Sequence, residues 1–124
     1  MPWFAAHSIF YFRLKHSAQS AFSVQENVFL IDASTSEDAY VAAESRAREN
    51  EGDAGGTLTW GDAPAELVFV GIRKLVSVSH RSDTNTLGSD DEITYSEFSV
   101  PSLEAVHRLA AGGSVSLVYE DGAA

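Results

Sequence analysis

The side chains best able to do chemistry are four histidines, one cationic pair and several acidic runs. His7, His16, His80 and His107 lie far apart, and none forms an HxxxH or HExxH pair, so no metal-ligand set is expected. His7 falls inside an apolar stretch and reads as a satisfied core or interface histidine. His107 reads as a solvated residue on a short helix. Glu37-Asp38 suits the positive end of a helix. Asp90-Asp91-Glu92 lacks the D-x-D-x-D-G spacing of a calcium loop and reads as solvated acid. No GxxxxGK[ST], GxGxxG or GxSxG is present, and nothing in the spacing marks one serine as a nucleophile. The chain contains no cysteine, which removes thiol nucleophiles, disulfides and cysteine-ligated metals. Neither a cofactor nor a catalytic residue is expected.

Arg73-Lys74 is the most pointed feature. Residues 67–81 hold Arg73, Lys74 and Arg81 without an acid, and residues 1–25 hold Arg13 and Lys15 without an acid. Basic groups therefore collect on the two most apolar stretches of an acidic chain. One reading is a cationic spot for an anionic group or a partner's carboxylate. The more routine reading pairs Arg73 and Lys74 with Glu26, Glu92 or Glu97 on neighbouring strands.

The elements that must position these groups follow from patterning. Residues 3–14 and 24–32 read as strands joined in a hairpin. Ser34 or Ser36 is placed to cap a helix that runs to about Glu49, with Ala39, Ala43 and Ala47 on its buried face. Gly52 and Gly55-Gly56 are expected to end it. Thr57–Trp60 is a short strand, Gly61-Asp62-Ala63-Pro64 a turn, and 67–78 the strongest strand. Trp60 is expected to plug a sheet end. Residues 81–91 read as a mobile, dispensable loop. A strand over 93–100, a short helix after Pro101, and a last strand carrying Val115, Leu117 and Tyr119 complete the chain. The expected fold is a single α+β domain over 1–124 with a frayed tail at 119–124. It has a mainly antiparallel sheet of five to six strands and two helices, in the order β-β-α-β-β-β-α-β.

The length of 124 residues suits one domain. A net charge of −10 argues against nucleic acid as a partner. No stretch is long and apolar enough for a bilayer, and the N-terminal residues lack the basic start of a secretory signal, so a soluble cytoplasmic protein without membrane contact is expected. Strands 3–14 and 67–78 carry large apolar side chains at both parities. Two helices cover one face of a sheet, so a homodimer is expected to cover part of the other; a self-curled sheet is the alternative.

Several blocks taken together resemble a known family. They are Trp3-Phe4-Ala5-Ala6, Glu26-Asn27-Val28-Phe29-Leu30-Ile31, Ser36-Glu37-Asp38-Ala39, Phe69-Val70-Gly71-Ile72-Arg73-Lys74-Leu75 and Glu92-Ile93-Thr94-Tyr95-Ser96-Glu97. This pattern, spread over nearly the whole chain, resembles the bacterial domain of unknown function 4288. The resemblance implies a bacterial, cytoplasmic protein and carries no established activity. It makes Glu26, Asn27, Arg73, Lys74, Glu92, Tyr95 and Glu97 the candidates for a shared binding site or a shared structural network. Two functions compete on this reading. The first is a non-enzymatic interaction module, such as an immunity-type inhibitor of a basic partner protein. The second is an anionic-ligand binder or enzyme, with Arg73 or Lys74 beside Glu26, Tyr95 or Glu97 and a pocket lined by Trp3, Trp60 and Phe69.

Overall fold

The structure is a computed structural model that describes residues 2–79 and 86–120. The described residues form two compact units, divided between Thr94 and Tyr95.

The first unit holds β1 (Trp3–Leu14), β2 (Val24–Asp32), α1 (Ser36–Arg48), β3 (Thr59–Trp60) and β4 (Ala63–Ser77). Its four-stranded sheet has the order β2-β1-β4-β3, and every pairing is antiparallel. β1 and β2 form the expected hairpin, in an unbroken register from Trp3↔Asp32 to Tyr11↔Val24. β3 and β4 are joined by Gly61 and Asp62, both at positive φ (58° and 63°). Two left-handed residues make the tight turn that matches strand twist. Ala63 and Pro64 therefore open β4 and do not belong to the turn, which starts this strand four residues earlier than its apolar run suggests.

α1 crosses one face of the sheet. Thr35, not Ser34 or Ser36, is its N-cap, and its hydroxyl accepts from the Asp38 amide at 3.1 Å. Ala39, Ala43 and Ala47 are fully buried, as the alanine spacing predicts. Ala39 packs with Phe4 and Ala33, and Ala47 with Phe10 and Phe69. Arg46 and Arg48 lay their guanidinium groups over Phe29 and Phe69, each 5.1 Å from the ring centre. The helix closes on Glu49 in a right-handed conformation, so the later glycines do not cap it. Gly52 instead bonds in both directions with Leu67 on the outer edge of β4. In the same connection Asp53 accepts from Lys15 and from the Gly56 amide, which together hold its carboxyl below the usual range.

β4 does not alternate regularly against β1. The register skips Arg73 between His7↔Lys74 and Ser8↔Ile72, and skips Val70 between Ile9↔Gly71 and Phe10↔Phe69. Each skip is a β-bulge, where one extra residue bends the strand and re-aims its side chains. Leu67, Phe69, Ile72 and Leu75 thereby all reach the core under α1. Simple alternation would place Ile72 on the opposite face from the other three.

The second unit holds β5 (Phe98–Ser99), α2 (Leu103–Ala110) and β6 (Val118–Tyr119). β5 and β6 make a separate two-stranded sheet, with Phe98 edge-on to Tyr119. The mixed α+β class, the two helices and the antiparallel pairing agree with the expectation. The sheet of five to six strands does not, because the strands form a four-stranded and a two-stranded sheet. The long strand expected over 93–100 contracts to Phe98–Ser99. The last strand contracts likewise. Ser102 caps α2 and Pro101 precedes the cap, two positions before the first helical residue, Leu103. The dispensability expected for 81–91 falls partly on residues outside those described, as does most of the tail.

Candidate functional site

On the sheet face opposite α1, β1 presents His7 and Ile9, and β2 presents Glu26 and Val28 beside them. Glu26 is the centre of a charged cluster. Arg73 Nη2 donates to Glu26 Oε2 at 2.8 Å and Arg73 Nε donates to Oε1 at 3.2 Å, a two-pronged contact across β1. His7 Nδ1 donates to Glu26 Oε2 at 2.5 Å. The other ring nitrogen of His7 is bonded to the Thr94 hydroxyl. A carboxylate only accepts, so the His7 proton lies on Nδ1. Nε2 then accepts from Thr94 in the neutral ring and donates to it in the imidazolium.

The bulge in β4 explains how this cluster forms. In a regular ladder Arg73 would stand opposite Ser8, on the α1 face. As the extra residue it turns toward Glu26 instead. Burial pushes the Glu26 carboxyl up, but the Arg73 and His7 hydrogen bonds and charges outweigh it and hold the group below the usual glutamate range. His7 is buried, and the Arg73 and Glu26 side chains are about one-fifth exposed.

Of the sequence-derived candidates, Glu26 and Arg73 meet directly. Lys74 is buried and stands opposite His7 in the register. Asn27 takes no part, because strand alternation puts it on the face of Phe29 and Ile31, and its carbonyl accepts from Ser8 Oγ. Glu92 is exposed, and its carbonyl accepts from the Ser79 amide where the chain returns beside β4. Tyr95 and Glu97 belong to the second unit, where the Glu97 carbonyl accepts from the Glu120 amide. His7 and Thr94 are the members missed as site residues. His7 was legible only as a satisfied core residue, which it is. Thr94 lies 87 positions along the chain and no local pattern marks it.

The proposed aromatic pocket does not assemble. Phe69 packs on Phe10 beneath α1, and Trp3 and Trp60 pair near opposite ends of β4. An open depression of about 340 Å³ does occur in the second unit, lined by Ser99, Val100, Pro101, Ser116, Leu117 and Val118. Among the described residues no three histidine or acidic side chains converge as metal ligands.

Chemically, the Glu26–His7–Thr94 chain joins a carboxylate, an imidazole and a hydroxyl. Arg73 shares the carboxylate and neutralises it, which weakens its hold on an imidazolium and favours a static clamp. The clamp ties β1, β2, β4 and the segment ending at Thr94 together on one sheet face.

A small α+β scaffold, with α1 on one sheet face and a charged clamp on the other, is the class these features define. The chain belongs to the family described as "Domain of unknown function (DUF4288)", whose model matches residues 3–90. The match takes in the clamp residues His7, Glu26 and Arg73. It stops short of Glu92–Glu97 and of the second unit, so the likeness is narrower than the whole chain. No curated protein and no solved structure matches the chain.

Proposed function

We propose that the protein is a non-enzymatic interaction module that works as a homodimer, with an acidic surface suited to a basic protein partner. One observation carries this reading. Arg73, Glu26, His7 and Thr94 are engaged with one another, while the neighbouring edge of the sheet leaves apolar side chains in water. Phe22, Val24, Val28 and Leu30 are between 40% and 60% exposed. A patch of this kind is typical of a contact surface. An acidic exterior at net charge −10 speeds encounter with a cationic protein, as in an immunity-type inhibitor of a toxin within the bacterial cytoplasm. Light scattering at micromolar concentration tests the assembly. The expected mass is twice 13.3 kDa, and a mass of 13.3 kDa overturns it.

A second reading, anion binding or enzymatic chemistry at the clamp, draws on the hydroxyl–imidazole–carboxylate chain. A thermal-shift screen of anionic metabolites separates the two, because a ligand specific for the folded state raises the melting temperature. A flat screen favours the interaction module.

A further inference from the structure

We infer that the second copy adds to the sheet through β2, strand edge to strand edge, around a two-fold axis at Val28. This inference rests on the homodimer reading and names its contact.

The two long edges of the sheet are treated differently. The outer edge of β4 is engaged from Ala63 to Phe69 and again at Ser79, just past the strand. β3 pairs with Ala63 and Pro64, Gly52 bonds Leu67, Glu51 Oε2 accepts from the Phe69 amide, and Ser79 pairs with Glu92. Among the described residues β2 has no neighbour but β1. Strand edges that remain in water are blunted in natural proteins by charged side chains, lysine above all, by proline, bulges or inward-pointing charges, by shortness, or by a covering helix or loop. β2 has the sequence VQENVFLID, with neither lysine nor proline, and its register with β1 has no bulge. Its inward charge, Glu26, is compensated by Arg73 and His7. A nine-residue edge with no lysine, proline or bulge, whose mid-strand charge is already neutralised and whose other charge sits at its end, is open to pairing.

The backbone fixes which residues offer bonds. The Ser23 carbonyl accepts from Phe12, and the Ala33 amide donates to Pro2. Odd-numbered residues of β2 thus turn their polar groups toward β1, and Val24, Glu26, Val28, Leu30 and Asp32 turn theirs outward. A two-fold axis perpendicular to the sheet keeps both α1 helices on one side and pairs residues of equal parity. Charge and the extent of overlap then select the register. An axis at Phe29 sets Glu26 against Asp32 of the other copy, a like-charge pair. An axis at Val28 sets Val28 against Val28, Glu26 against Leu30 and Val24 against Asp32, with no like charges opposed. Every outward-turned residue from Val24 to Asp32 then finds a partner.

Cysteine cross-linking tests this on a chain that has no cysteine of its own. Directly opposed residues lie within disulfide reach. Val28→Cys is expected to give a covalent dimer on mild oxidation, as is an equimolar mixture of Val24→Cys and Asp32→Cys. Leu30→Cys alone is expected to stay uncoupled. Val28→Lys opposes two ammonium groups at the axis and should raise the dimer Kd more than about tenfold. Val28→Pro removes an outward amide, leaves the β1 ladder intact and should act alike, with far-UV circular dichroism showing that the fold persists. A dimer indifferent to Val28→Lys and uncoupled by Val28→Cys overturns the β2 contact and leaves the homodimer standing. Coupling by Leu30→Cys in place of Val28→Cys overturns the register. A monomeric wild-type protein overturns both readings.

Discussion

At the residue scale, Glu26 joins the hairpin to the bulged strand. Replacing it with glutamine keeps the shape, removes the charge that Arg73 and His7 face, and leaves two partly buried donors poorly satisfied. Glu26→Gln should cost about 1–3 kcal/mol at neutral pH. The pH dependence has a definite sign. The folded carboxyl lies below its ordinary value, so the unfolded chain binds a proton there more readily. The stabilisation from Glu26 is complete above the ordinary glutamate range, about pH 4.3, and fades as pH falls through the folded value. Urea midpoints for the two proteins should differ at pH 7 and draw together as the pH falls below about 4.3. A constant gap would mean that the clamp does not depend on the Glu26 charge.

At the element scale, α1 lies on the sheet because its inward face is alanine. Ala39, Ala43 and Ala47 have no exposed surface, so backbone and sheet are in close approach. Ala43→Leu should overpack this contact at about 1–3 kcal/mol, read as a lowered melting temperature. Val41 on the same helix is 67% exposed, and Val41→Ala should stay within about 0.5 kcal/mol of the parent. Thr35→Ala removes the cap and should cost about 1 kcal/mol. An Ala43→Leu variant that melts like the parent would place this face of the helix away from the sheet.

At the scale of the whole molecule, net charge bears on the proposed homodimer. Two copies at −10 each repel one another, and the β2 register adds no ion pair between them. Raising the ionic strength from about 0.01 M to 0.15 M shortens the screening length from about 30 Å to 8 Å. The dimer should therefore tighten with salt, which sedimentation velocity at the two concentrations measures. Weakening with salt would point to ion pairs across the contact and away from the Val28 axis.

The sequence by itself determined the local elements. Apolar runs and turn residues mark β1, β2 and their hairpin, and the 39-43-47 alanine spacing marks the buried face of α1. These signals are local because each depends on a periodicity of two or 3.6 residues. It also made Glu26 and Arg73 candidates and offered their pairing as the routine reading. Only the tertiary structure decided the rest. The bulges at Val70 and Arg73 break alternation through contacts with β1, so no pattern within β4 could place Ile72 in the core or turn Arg73 toward Glu26. Asn27 resembles its neighbour Glu26 in the sequence but faces the other side of the sheet. Thr94 meets His7 because the chain returns beside β4 at Ser79 and Glu92, a contact set by closure of the fold. That β2 has no neighbour but β1 among the described residues follows from strand order, which depends on long-range pairing that local propensities do not encode.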